Sequence, residues 1–81
     1  MIGFGQEVIE IRYESGALKY KYEVKYEYSE SGNKFDYPHG EYFEYFENGN
    51  IKSKGIKKNS LQDGYWIFYN EDGTVFEKKK Y

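Results

Sequence analysis

The residues from Leu18 to Tyr28 alternate strictly between two chemical classes. The even positions are apolar or aromatic, and the odd positions are charged. Successive side chains of a β-strand point to opposite faces of a sheet, so a period of two predicts a strand with one buried face. A helix would scatter these tyrosines around its circumference and bury lysines with them. We therefore expect a strand of about 35 Å in this stretch, which is long for a strand.

Shorter alternating runs, separated by glycine-containing turns, continue the pattern along the chain. Residues 1–5 are expected to form a loose lead-in, 39–40 a turn that includes His39, and 58–64 a polar loop. Pro38 lacks an amide hydrogen and should lie at a sheet edge or a break. No window is helical, so the sequence predicts an all-β antiparallel meander of about six strands. The other expected strands cover residues 9–13, 41–46, 51–57, 65–69 and 74–81, and residues 35–37 are expected to form a short returning piece that ends at Pro38.

Aromatic residues supply most of the material for a core. The chain has 11 Tyr and 6 Phe in 81 residues, with few aliphatic side chains. Each buried aromatic ring removes about 150–250 Å² from water, which favours an ordered fold although 32% of the residues are charged. A chain of this length forms one domain, of modest stability. We expect a single β-repeat domain over residues 1–81.

The composition also narrows the environment and the chemistry. The chain has no cysteine, which rules out disulfides, thiolate metal ligands and a thiol nucleophile and is typical of a reducing compartment. No apolar run approaches the ~20 residues of a membrane span, and the first residues do not resemble a signal peptide. We therefore expect a cytoplasmic protein without a membrane span. A net charge of −2 gives no strong field to attract nucleic acid or anionic lipid.

Two segments of the chain repeat at a constant offset of 24 residues. Residues 40–51 align with residues 64–75, so that Gly40, Tyr42, Tyr45, Gly49 and Ile51 correspond to equivalent residues downstream. A fixed period indicates an array of one supersecondary unit, here a strand, a turn ending in glycine and a second strand. An earlier unit includes Gly16, which precedes Gly49 by 33 residues. The second set of repeat residues is Gly64, Trp66, Tyr69, Gly73 and Val75.

These repeats resemble the MORN-repeat variant family, which includes antitoxins of the YwqK type. The resemblance covers most of residues 9–81, with units near 9–37, 40–63 and 64–81. The first unit departs from the pattern, because Arg12 stands where the tyrosine before the turn is expected. The resemblance implies one extended, twisted antiparallel sheet built from hairpins. It also implies a binding or scaffolding role without catalysis.

No group of residues predicts an enzyme or a metal site. His39 is the single histidine, and together with Asp36 it falls short of the three or four ligands of a typical zinc site, so we interpret it as a structural turn residue. The serines lie in or near turns and lack the setting of a nucleophile. Glu41, Glu44 and Glu47 are close in sequence, as expected for a densely charged sheet. We therefore predict no catalytic residue, no metal ligand and no cofactor.

The sequence leaves two classes of binding function open. We expect the chain to bind another protein, such as a toxin or a nuclease, and to occlude or regulate it. A second copy of the chain is also a possible partner. A phage or mobile-element inhibitor of a host nuclease would have the same sequence features. The alternative is that the chain binds single-stranded nucleic acid, although strict alternation places the lysines and tyrosines of residues 18–28 on opposite faces of the strand. The predicted protein-binding residues are Tyr42, Tyr45, Trp66 and Tyr69, and the nucleic-acid candidates are Lys19, Tyr20, Lys21, Tyr22, Lys25 and Tyr26.

Overall fold

Six strands form one antiparallel sheet in which each strand pairs with its neighbours in sequence. The computed structural model describes residues 3–81, with side chains from residue 5 onward. None of the described residues forms a helix, so this part of the chain contains no helical membrane span. The predicted all-β meander is confirmed. The strands are β1 (Gly3–Arg12), β2 (Leu18–Tyr28), β3 (Lys34–Tyr45), β4 (Ile51–Lys58), β5 (Leu61–Tyr69) and β6 (Val75–Lys80).

Two predicted irregular segments are instead parts of strands. The expected lead-in over residues 1–5 is wrong for Gly3–Gly5, which pair with Tyr28–Tyr26 at the C-terminal end of β2. Residues 1–2 lie outside the described residues. The expected loop over 58–64 is wrong as well, because β4 and β5 meet in a tight turn at Asn59 and Ser60. Both residues have positive φ, at 51° and 71°, as a two-residue hairpin turn requires.

The predicted turn at His39 and Gly40 is also wrong, because β3 continues through it as one strand. Between the pairs Tyr22↔Tyr42 and Val24↔Pro38, β3 uses four residue steps where β2 uses two, and Gly40 adopts a φ of 119°. The glycine therefore accommodates a bulge, which bends the strand without ending it. Pro38 precedes Gly40, the residue at which the pairing of β3 with β4 begins. Pro38 pairs with Val24 of β2, and its carbonyl accepts a hydrogen bond from the amide of Ser60 at 2.8 Å, so it lies beside a break in the ladder and not at an edge of the sheet.

Three hairpins share one turn design. In the β3–β4 turn, Gly49 donates its amide hydrogen to the carbonyl of Phe46 at 3.0 Å, and Phe46 donates to the carbonyl of Asn50 at 2.8 Å. The β1–β2 and β5–β6 turns repeat these two hydrogen bonds at Gly16 and Gly73. The φ angles of the three glycines are 92°, 93° and 92°, in a region that glycine adopts without steric cost. The β2–β3 turn at Gly32 has the same pattern at the opposite end of the sheet.

The sheet has two faces of different character. Residues directly opposite each other on neighbouring strands lie on the same face. One face, which we call the packed face, carries the rows Ile9–Tyr22–Tyr42–Gly55 and Ile11–Tyr20–Glu44–Ser53–Phe68–Glu77. The other, which we call the open face, carries a row that crosses all six strands. Its members are Glu10, Lys21, Phe43, Lys54, Ile67 and Lys78.

The molecule is a single layer of secondary structure. Its Cα atoms span 48 × 32 × 11 Å, and the radius of gyration is 15.0 Å. A compact domain of this length would have a radius of gyration of about 12 Å. Among the described residues, only Val24 and Trp66 are buried hydrophobic side chains. Most domains bury their apolar faces between two layers, so this sheet leaves apolar surface without a cover of its own.

Candidate functional site

A chain of aromatic rings crosses the packed face. Tyr22 stacks on Tyr42, with ring centroids 5.0 Å apart, and Tyr20 lies 6.2 Å from Tyr42. Trp66 continues the chain at 5.7 Å from Tyr42, and Tyr81 follows at 6.4 Å from Trp66. These separations are those at which aromatic pairs attract each other. Tyr42 and Trp66, which occupy equivalent positions in the two repeats, therefore pack on the same face.

Trp66 is the anchor of this face. Its side chain is 2% exposed and lies over Gly55 of β4, where a Cβ atom would come within 2.3 Å of the indole ring. The indole nitrogen donates a hydrogen bond to the carbonyl of Ile56 at 3.0 Å, so the polar atom of the ring is satisfied. On the neighbouring ring of Tyr42, the Nζ atom of Lys57 lies 4.5 Å from the ring centre. Little of Trp66 remains for a partner to contact.

Two phenols of the packed face, those of Tyr20 and Tyr42, have raised pKa values. Burial raises the pKa of Tyr42 above its usual value, and the neighbouring Tyr20, Tyr22 and Glu44 raise it further. Burial also raises the pKa of Tyr20, with Glu44 contributing as a negative charge and a hydrogen-bond partner. A raised phenol pKa moves ionisation further from neutrality. These tyrosines thus supply neutral polar groups and apolar area.

The open face holds most of the exposed large hydrophobic residues whose side chains the structure describes. Of these ten residues, six lie on this face, three belong to the packed face and Phe76 occupies a bulge. Exposed apolar patches of a few hundred Å² on a soluble domain often mark a binding surface. The six residues of the open face are Val8, Phe35, Ile56, Leu61, Tyr65 and Val75.

A groove runs over the middle of the open face. It has a volume of about 270 Å³ and lies between β3 and β5, with the backbone of Gly55 as part of its floor. Ile56 is 43% exposed and Tyr65 is 68% exposed at this groove. The walls combine apolar side chains with one acidic and one basic group. They are formed by Glu41, Phe43, Lys54, Ile56, Tyr65 and Ile67.

The structure divides the four predicted protein-binding residues between the faces. Tyr42 and Trp66 lie on the packed face, 5.7 Å apart. Tyr45 lies on the open face, where its ring stacks on Phe43 at 6.3 Å, and Tyr69 lies there with its ring 5.8 Å from Lys54 Nζ. All except the buried Trp66 are half-buried. One partner docking on one face would therefore contact only half of the predicted set.

The six nucleic-acid candidates of β2 are also divided between the faces. Tyr20, Tyr22 and Tyr26 follow the packed face, whereas Lys21 and Lys25 follow the open face. Lys19 lies at a bulge, 5.4 Å from the Tyr13 ring and 5.6 Å from the Tyr20 ring. Neighbouring strands bring lysines and aromatic rings together where β2 alone does not. On the open face, Lys80 lies 5.5 Å from the Tyr65 ring.

The groups considered for catalysis serve structural contacts or lie apart. His39 Nδ1 accepts a hydrogen bond from the backbone amide of Asn59 at 3.2 Å, so the ring braces the β4–β5 turn from within β3. Glu41 faces the open side, whereas Glu44 faces the packed side and pairs with Lys52 at 3.7 Å. The described residues include no cluster of three or more potential metal ligands.

The sequence did not predict that one surface groove is lined by Phe43, Ile56, Tyr65 and Ile67. Tyr65 and Ile67 were predicted only as members of the strand over residues 65–69. The available signal was the alternation of apolar residues on the face opposite Tyr42 and Trp66 in both repeats. The register of β4 against β5, with its bulge between Lys54 and Ile56, was needed to bring Ile56 beside them.

Comparison of the chain with models of protein families, with characterised proteins and with solved structures finds no match.

Proposed function

We propose that this chain is a non-enzymatic module that binds another protein through its open face and thereby occludes or regulates it. The observation that supports the proposal is the concentration of exposed hydrophobic residues on one face of a single-layer sheet. A rigid sheet presents such a surface already formed, so little ordering entropy is lost on binding. The resemblance of residues 40–51 and 64–75 to the MORN-repeat variant family favours an antitoxin-like or inhibitor-like role in the cytoplasm.

A partner that binds the open face would contact only the residues that lie on that face. Aromatic anchors in well-packed surroundings dominate most interfaces. Tyr45 and Tyr69 remain candidates on the open face, joined there by Phe43, Ile56 and Tyr65. Tyr42 and Trp66 lie on the opposite, packed face, where they would support the fold without contacting a partner on the open face. Loss of Trp66 would therefore weaken binding through the fold, whereas loss of Tyr65 would weaken it directly.

Single-stranded nucleic acid is the second candidate, on one observation. The open face combines Lys54 with Tyr69 and Lys80 with Tyr65, at 5.8 Å and 5.5 Å from cation to ring centre. Basic and aromatic groups on one surface are the ingredients of a single-strand platform. The carboxylates of Glu41 and Asp63 lie on the same face, however, and would repel phosphates. The protein partner is favoured for that reason.

Two isoleucines with equal exposure allow a matched test of the binding face. Ile56 on the open face and Ile11 on the packed face are each 43% exposed. Tagged wild-type chain and its Ile56→Lys and Ile11→Lys variants are used to capture partners from the native host, with and without nuclease treatment. We expect a protein that survives nuclease, is lost with Ile56→Lys and is kept with Ile11→Lys.

Two results would overturn the proposal. Recovery of nucleic acid alone, with an affinity that falls steeply as salt rises, would favour the second candidate. A protein partner that both isoleucine variants retain would place the binding surface away from the open face. Circular dichroism of both variants checks that each remains folded before the captures are compared.

A further inference from the structure

The two halves of the open face carry opposite net charge. On β1–β3 the carboxylates outnumber the basic groups by four to three, and on β4–β6 the lysines outnumber the carboxylates by four to one. Between the halves lie the apolar walls of the groove. The first half carries Glu10, Glu23, Glu27 and Glu41 with Arg12, Lys21 and Lys25, and the second half carries Lys54, Lys58, Lys78 and Lys80 with Asp63. Within one copy, Arg12 lies 3.4 Å from Glu10.

A surface of this kind is complementary to itself. We propose that the open face closes on the open face of a second copy, forming a two-layer sandwich about a two-fold axis that runs parallel to the strands between β3 and β4. Rotation about that axis exchanges the halves, so the acidic half of one copy covers the basic half of the other. An axis perpendicular to the strands would instead place each half on its own like charge, which is unfavourable.

The strand register gives the facing residues. The row that crosses the open face runs from Glu10 on β1 to Lys78 on β6, and the proposed axis leaves the position along the strands unchanged. Glu10 of each copy then lies opposite Lys78 of the other, and Phe43 lies opposite Lys54. The first contact is an ion pair and the second places a cation on an aromatic ring. Each contact occurs twice in a symmetric dimer.

The face is large enough for a stable dimer. The 48 × 32 Å outline of the sheet encloses about 1,500 Å². A standard interface buries about 800 Å² on each partner, so roughly half of the outline suffices. Two sheets stacked about 10 Å apart would also give this chain the second layer that most domains possess. A protein partner that uses the open face would then replace the second copy.

Charge exchange tests the arrangement with purified chain alone, so its failure is distinct from failure of the proposed partner function. Sedimentation of the wild type from low micromolar to millimolar concentration is expected to show a monomer–dimer equilibrium. Glu10→Lys and Lys78→Glu should each raise the dimer dissociation constant about tenfold, because attraction becomes repulsion at two sites. An equal mixture of the two variants should form heterodimers of near wild-type affinity. Lys79→Glu, on the packed face beside Lys78, is the matched control and should leave the equilibrium unchanged.

Several outcomes would overturn the inference. A wild type that remains monomeric up to millimolar concentration removes the dimer. A dimer that weakens equally with Lys79→Glu, or that is unaffected by Glu10→Lys and Lys78→Glu, does not use this face and axis. Failure of the mixed variants to associate would likewise exclude the pairing of Glu10 with Lys78.

Discussion

At the scale of single residues, Trp66 makes two contacts that organise the packed face, one with the ring of Tyr42 and one with Gly55. The 24-residue repeat was sufficient to predict that Tyr42 and Trp66 share a face, since equivalent positions of equivalent hairpins point the same way. The importance of Gly55 was not predictable, because it depends on which residue of β5 lies over β4. A bulge sets that register, and a bulge is a property of two strands together.

Trp66→Ala is expected to lower the free energy of unfolding by about 3–5 kcal/mol. Trp66 is 2% exposed and covers Gly55, so its removal leaves a gap that this thin sheet has no second layer to fill. Urea denaturation measures the change. Tyr65→Ala is the control one residue away, with its side chain 68% exposed, and should change stability by no more than about 0.5 kcal/mol. Wild-type stability in Trp66→Ala would show that the ring is not part of a core.

Gly55→Ala tests the same contact from the other strand. The added Cβ would clash with the Trp66 ring, and φ at Gly55 is not positive, so the cost arises from contact alone. We expect destabilisation by about 1–3 kcal/mol. In the Trp66→Ala background that cost should largely disappear, which a double-mutant cycle measures as coupling. Strictly additive effects would mean that the two residues do not touch.

At the scale of elements, the hairpin is the unit that repeats. Turns at Gly16, Gly49 and Gly73 have the same hydrogen bonds and lie at one end of the sheet. Neighbouring turns are also joined, because Tyr13 donates its hydroxyl hydrogen to the Tyr45 carbonyl at 2.8 Å and Asn50 Nδ2 donates to the Glu71 carbonyl at 2.8 Å. Glycine and Asx chemistry made these turns predictable.

Two connections were predicted wrongly at the same scale. The β4–β5 turn at Asn59 and Ser60 has no glycine, although both residues have positive φ. Gly40 and Gly64 were interpreted as parts of connections but lie within β3 and β5, at the bulges of the sheet. A glycine with positive φ serves a turn and a bulge equally well, and local sequence does not distinguish the two.

Gly49→Val should destabilise the chain more than Gly49→Asn, by about 1–3 kcal/mol. The φ of 93° at Gly49 disfavours a β-branched side chain most, whereas asparagine tolerates positive φ better. A Cβ at this position would meet no atom within 4 Å, so the difference reports backbone conformation and not crowding. Thermal denaturation of both variants measures it. Equal stabilities would contradict the turn geometry.

At the scale of the whole molecule, the chain is a thin sheet with one face organised by aromatic contacts and the other exposed. Alternation in the sequence predicted the sheet and its two faces. Which face would be exposed was not predictable, because Tyr45 and Tyr69 look as aromatic as Tyr42 and Trp66 in the sequence. The difference arises from contacts between distant strands, such as Trp66 over Gly55.

A single copy of this chain folds as one uncovered layer of secondary structure. Small-angle X-ray scattering tests it directly, at dilutions where sedimentation shows one copy. We expect a radius of gyration close to the 15.0 Å of the sheet. A value near 12 Å, the size of a compact domain of this length, would show that the chain covers its own open face and would contradict the account.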